Sequence, residues 1–229
     1  MQTRTSSLIV YAIIILSLVS AANLVYAGDN TGAAGKVFAG VKYGYQDIEM
    51  LTQFTRRTSG VITEQSSFDN TYTSNAVGLL VGYTLPHERF YLSGQVFFDL
   101  FDKEFELSTG SSHISSSINH AFGIDLMPGV YLFRGLSLFG KLGLANGDFD
   151  FVKSSPKSTN YDVNRNLFGY TLGFGFAYDI TPLFTAKIGY EQTKYEETEI
   201  NATRGTRTDN TVVKPQVESF FIVLQYNFN

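Results

Sequence analysis

The stretch Phe168-Gly169-Tyr170-Thr171-Leu172-Gly173-Phe174-Gly175-Phe176-Ala177-Tyr178 alternates a bulky apolar residue with Gly, Thr or Ala at every step. A period of two belongs to a β-strand, whose successive side chains leave opposite faces. Seven other segments repeat the pattern, with bulky sets spread over Val37–Tyr45, Val77–Leu85, Phe90–Leu100, Phe122–Leu132, Leu136–Leu144, Phe184–Tyr190 and Phe220–Phe228. The chain shows almost no 3.6-residue period. Eight strands are the expectation.

Their connections alternate in length. Short links centre on Pro86-His87-Glu88, Phe133-Arg134-Gly135 and Asp179–Pro182, whereas long polar links run over 48–73, 102–118, 146–166 and 193–216. An even number of antiparallel strands, with short turns at one end and long loops at the other, predicts an all-β, up-and-down, eight-stranded transmembrane barrel with periplasmic turns and extracellular loops.

Composition narrows the function. The chain has 229 residues, 17% of them charged, with no Cys and a formal net charge of -4. The absence of Cys removes disulfide scaffolds and thiolate metal sites. An acidic balance with no basic patch argues against nucleic acid. At the N-terminus, Arg4 precedes the apolar run Leu8–Val19 and the small-x-small pattern Val25-Tyr26-Ala27. These are the parts of a secretory signal peptide. Residues 1–27 are therefore read as signal peptide, 28–35 as a short periplasmic segment and 36–229 as the barrel; a retained membrane anchor is the rival for the first segment.

Size sets the orientation. The interior of an eight-stranded barrel is only just wide enough for side chains. The Phe, Tyr, Leu, Ile and Val set would overfill it, so the small set is assigned to the lumen and the bulky set to lipid. Inward parity then gives a lumen polar network of Lys42, Arg89, Gln95, Asp99, Asp125, Lys141, Lys187 and Glu191, with Lys141 placed diagonal to Asp125 by the turn near Arg134. Phe38, Tyr91, Phe97 and Phe139 share that face, which predicts a plugged lumen. The outward aromatics fall into two girdles. Tyr83, Phe90, Phe176, Tyr178, Phe184, Tyr226 and Phe228 lie near the short turns; Tyr43, Tyr45, Phe98, Phe122, Phe168 and Tyr190 lie near the long loops.

The segments Gly123-Ile-Asp-Leu-Met-Pro-Gly-Val-Tyr131 and Gly135-Leu-Ser-Leu-Phe-Gly-Lys-Leu-Gly-Leu-Ala145 resemble the central hairpin of small eight-stranded outer-membrane β-barrels of Gram-negative bacteria. That group includes opacity-type surface proteins and the transmembrane domain of outer membrane protein A. Phe220–Phe228 resembles the C-terminal strand that the barrel-assembly machinery reads, although Asn229 follows the final aromatic. The resemblance implies residence in the outer membrane as a monomer, with lipid and lipopolysaccharide as neighbours.

Chemistry-bearing patterns are sparse. His113-Ile114-Ser115 is similar to the His-x-Ser of lipid A deacylases, but it stands in a Ser-rich loop. Asp148 and Asp150 lack a full Ca²⁺ ligand set, and Glu196, Glu197 and Glu199 read as a solvated hairpin stem. No enzyme, cofactor or metal is expected. The expected role is surface recognition or adhesion through the loops, with envelope support; a passive solute pore and a lipid A-modifying barrel are the alternatives.

Overall fold

The computed structural model describes residues 35–102, 104–109, 112–154 and 161–228. The segment 1–27 read as a signal peptide, most of 28–35, and Asn229 lie outside the described residues. The strands are β1 (Lys36–Thr58), β2 (Val61–His87), β3 (Phe90–Phe101), β4 (Glu104–Thr109), β5 (Ser112–Phe133), β6 (Leu136–Ser154), β7 (Tyr161–Asp179), β8 (Phe184–Tyr195), β9 (Thr198–Arg204) and β10 (Arg207–Phe228). Eight of them form a ring in the order β1-β2-β3-β5-β6-β7-β8-β10, closed by β10 pairing back onto β1. β4 and β9 prolong the lines of β3 and β8 after short breaks, pairing with β5 and β10. Every pair is antiparallel.

The bulky face is outside. Leu144 is 61% exposed, Phe168 63% and Phe220 66%, while their neighbours Ala145, Leu167 and Phe221 are buried. The inward face combines the small residues with a few large ones. Phe38, Phe97, Phe139 and Phe221 each extend over a glycine of a neighbouring strand, Gly82, Gly123, Gly175 and Gly189 respectively, where a Cβ would collide with the ring. Large against small is how a narrow interior reaches close packing.

The described residues of the four long polar connections are mostly strand rather than irregular loop. β1 and β2 continue to Thr58 and Val61 and turn at Ser59-Gly60, both at positive φ. A two-residue turn with positive φ at both positions matches the right-handed twist of the strands it joins. Gly205, also at positive φ, opens the corresponding turn between β9 and β10. The β-branched residues in these arms, among them Thr52, Thr55, Thr58, Val61, Ile62 and Thr63, favour extended backbone. Pairing also satisfies main-chain groups that a loop would leave to water.

Above the outer girdle the ring parts along two seams. Among the described residues, the last bonds across them run from Asp102 N–H to Asn75 C=O and from Glu196 N–H to Phe168 C=O. Beyond these points, β2-β1-β10-β9 form one four-stranded sheet and β4-β5-β6-β7 another. The alternation inverts at the same level. In β1 the outward residues change from Tyr43 and Tyr45 to Asp47 and Glu49, while the inward ones change from Lys42 and Gln46 to Ile48 and Met50. β6 does likewise, from Leu142 and Leu144 to Asp148 and Asp150 outside, and from Lys141 to Phe149 and Phe151 inside. Ile48, Met50, Tyr72, Val213 and Val217 belong to the same buried cluster as Ile118, Phe149, Phe151 and Leu167. A crown with an apolar interior, continuous with the phenylalanines of the lumen, therefore stands on the barrel.

An Arg on the outward face at mid-strand requires hydrocarbon to accept a charge. Ile222→Arg is expected to cost about 2–4 kcal/mol, whereas Thr71→Arg, outward in the crown, should stay within roughly 0.5 kcal/mol. Reversible urea unfolding in lipid vesicles measures both, and equal costs would count against this orientation.

Candidate functional site

The lumen and the crown are the two places where polar side chains converge. In the lumen, Lys42 of β1 donates to Asp99 of β3 at 2.5 Å and to Glu191 of β8 at 3.1 Å. Lys141 of β6 donates to Asp125 of β5 at 2.8 Å and to Glu191 at 2.5 Å. Gln95 Nε2 gives a further bond to Asp125 at 2.8 Å. Glu191 thus bridges the two ammonium groups. Phe97 lies between them, with its ring centroid 5.2 Å from the Lys42 nitrogen and 5.3 Å from that of Lys141. All of these polar groups are buried.

The placement follows from register. Asp125 faces Gly143 and Asp99 faces Gly78, positions where a Cβ would collide with the carboxylate. The small inward residues of β2 and β6 therefore make room for charged ones on β3 and β5. Lys187 stands apart, 4.7 Å from the Phe38 ring centroid, with no ion pair within bonding distance among the described residues. Counting it, three ammonium groups meet three carboxylates in the lumen. The ion pairs of Lys42 and Lys141 matter within that balance, because breaking a buried pair is strongly destabilising.

Arg89 is a correction. It occupies the exposed two-residue turn between β2 and β3 rather than the lumen. Strand parity does not reach Arg89: the turn takes the backbone out of the pleat before it, and a guanidinium at the rim can stay in water. The aromatics assigned to the girdles all take the outward face, and several meet edge-on, such as Phe184 with Tyr226 and Tyr226 with Phe228.

The inward spaces bounded by the described residues are small. A cavity of about 20 Å³ lies among Gln46, Asp99, Lys141 and Glu191, and one of about 60 Å³ lies at the turn end beside Tyr91, Thr185 and Lys187. Toward the crown, Phe149 packs on Tyr195 edge-to-face at 4.9 Å. Sequence reasoning missed this apolar cap. Its signal was available, because the period of two continues past the girdle with its polarity exchanged between faces.

In the crown the charges pair locally, on its outer surface and, at the buried Asp209, on the inward face. Arg56 bonds Asp209 at 3.0 Å and also Glu64, and Lys214 reaches Glu197 at 2.8 Å. Asn119 donates to Asp150 at 2.7 Å, and Asn164 donates to both Asp148 and Asp150. Among the described residues no group of three or more His, Asp or Glu is placed to hold a metal ion. The side chains of His113, Ile114 and Ser115 lie outside the described residues.

The sequence matches the family model described as the outer membrane protein β-barrel domain over residues 11–228. No curated protein sequence matches the chain. Among solved structures it is similar to Neisserial surface protein A, at 11% identity and a TM-score of 0.46, covering 86% of this chain and 100% of that one. It is similar to the outer membrane protease OmpT from Escherichia coli, at 10% identity and 0.49, covering 87% and 99%. A third is Ail, the attachment invasion locus protein of Yersinia pestis, in complex with the heparin analogue sucrose octasulfate, at 14% identity and 0.36, covering 79% and 98%. At these identities and scores the likenesses carry no functional argument.

Glu191→Gln leaves the lumen with three ammonium groups and two carboxylates. It is expected to cost about 3–5 kcal/mol in denaturant unfolding, and Glu191→Gln with Lys141→Met, which restores neutrality, should recover part of the loss. A single variant as stable as the parent would show that the bridge contributes nothing.

Proposed function

This chain belongs to the outer membrane protein β-barrel domain family, and from that premise we propose that it is a non-enzymatic surface protein of the Gram-negative outer membrane whose crown makes contact with host or matrix surfaces. The observation that supports this reading is the apolar core inside the crown. It packs beneath the described parts of the arms beyond the outer girdle and leaves their outer faces polar and charged. A preorganised surface loses less conformational freedom when it binds than a mobile loop does. The filled lumen supports a plugged barrel over the pore reading, since the same residues would have to move aside to admit a solute.

The remaining parts of the proposal follow from position. Residues 1–27 are removed as a signal peptide on export, the strand Phe220–Phe228 is handed to the barrel-assembly machinery, and the monomeric barrel then sits among lipid and lipopolysaccharide. N-terminal sequencing of the membrane-bound form is expected to begin at Gly28; a chain that begins at Met1 would mean a retained anchor.

Replacing residues 54–66 by Asn-Gly joins Gln53 to Ser67, which already face each other in the ladder, through a turn suited to a hairpin. Escherichia coli displaying the parent chain is expected to bind epithelial monolayers or matrix-coated plates above the vector control. The shortened variant should lose that gain while keeping the heat-dependent gel shift of a folded barrel. Parent cells that bind no better than the control would refute the proposal.

A further inference from the structure

One cross-strand row of outward residues runs obliquely across the barrel wall: Val81, Val96, Ile124, Leu144, Tyr170 and Lys194, each opposite the next in register. Strands of a transmembrane barrel are tilted by about 35–45°, so a row at right angles to them climbs through the membrane. The row forms the floor of two confluent hollows that share Val96, Ile124 and Leu144. The lower hollow, about 830 Å³, is bounded by Tyr83, Gly94, Leu126 and Leu142. The upper, about 490 Å³, is bounded by Phe122, Phe168 and Asn146 and ends at Lys194 and Glu196.

Gly94 makes the lower hollow. It occupies an outward position between Leu92 and Val96 where the pattern otherwise places a bulky side chain, and nothing lies within 4 Å of where its Cβ would be. At the other end Lys194 is exposed on the crown side of the girdle, close enough to Glu218 for their charges to interact but with no ion pair at bonding distance among the described residues. An apolar groove that begins inside the hydrocarbon and ends at Lys194 and Glu196, beyond Phe122 and Phe168, has the shape of an acylated lipid whose anionic head meets the ammonium group and can bridge to the carboxylate through a divalent cation.

We propose that this groove is a binding site for one phosphorylated, multiply acylated glycolipid of the outer leaflet, of the lipid A type. An acyl chain lies along the row from Tyr170 to Gly94, and a phosphate meets Lys194. Glu196, beside the lysine, can share a divalent cation with the same phosphate. The inference rests on the membrane location set by the family and not on the recognition proposed for the crown. Failure of the adhesion test therefore leaves it standing.

The test uses the full barrel in phosphatidylcholine nanodiscs containing a low mole fraction of lipid A, with bound lipid counted by native mass spectrometry after release. The parent is expected to retain one lipid A in preference to phosphatidylcholine. Gly94→Phe, which fills the hollow, should abolish retention, and Lys194→Gln should lower it roughly fivefold, the worth of one cation at an anionic lipid surface. Gly140→Phe is the control: Gly140 is also outward with nothing within 4 Å of its Cβ position, and it lies off the groove. It should bind as the parent does, and the heat-dependent gel shift shows that each variant is folded. Retention unchanged in Gly94→Phe, lipid A held no better than phosphatidylcholine, or a dimer mass that disappears in Gly94→Phe would each overturn the proposal.

Discussion

Inside hydrocarbon a backbone N–H or C=O has no water to turn to, so every strand needs partners on both edges. The ladder between β1 and β10, running from Val37↔Phe228 to Thr58↔Arg207, meets that demand by closing the sheet. Closure at eight strands then sets the width of the lumen, and the width decides what can be inside. Four inward phenylalanines fit because glycines face them. The charges fit because each carboxylate meets an ammonium group, with Glu191 serving two. The polar network is a consequence of the closed ring, not a site added to it.

The same demand explains why the wall and the crown differ. Around the barrel the solvent is hydrocarbon, so the apolar surface can face outward and the lumen can be polar. Past Tyr45 and Leu144 the surroundings become aqueous, and the strands are held only if apolar surface turns inward. Ile48, Met50, Phe149 and Phe151 do so within a few residues of the girdle, with no change in strand period. Two sheets, free of the need to close, then part along seams and pack through this layer. The crown is the part of the molecule that owes its stability to the hydrophobic effect in the ordinary sense.

Much of this was legible before any coordinates. Strand count, antiparallel order and facing come from alternation and from the volume argument. Lys141 was placed beside Asp125 because both lie near one turn, whose register can be counted. The contacts of Glu191 with Lys42 and Lys141 could not be counted in that way. They cross the lumen between strands far apart in sequence, and their distances depend on closure and on the stagger of the ring. Arg89 was misplaced because parity fails where a turn leaves the pleat. The long arms read as loops because their outward residues are polar, which is also what an aqueous strand face shows.

The sequence by itself determined the period of two, the bulky and small faces and the short turns, since each depends on residues within one hairpin. It also held the inversion of polarity that marks the outer boundary of the membrane. Only the tertiary structure decided which lumen charges meet, that the crown divides into two sheets over an apolar core, and that Gly94 opens a groove leading to Lys194. Those features depend on the distance and tilt between strands that closure brings together, and a single strand's pattern carries no information about either.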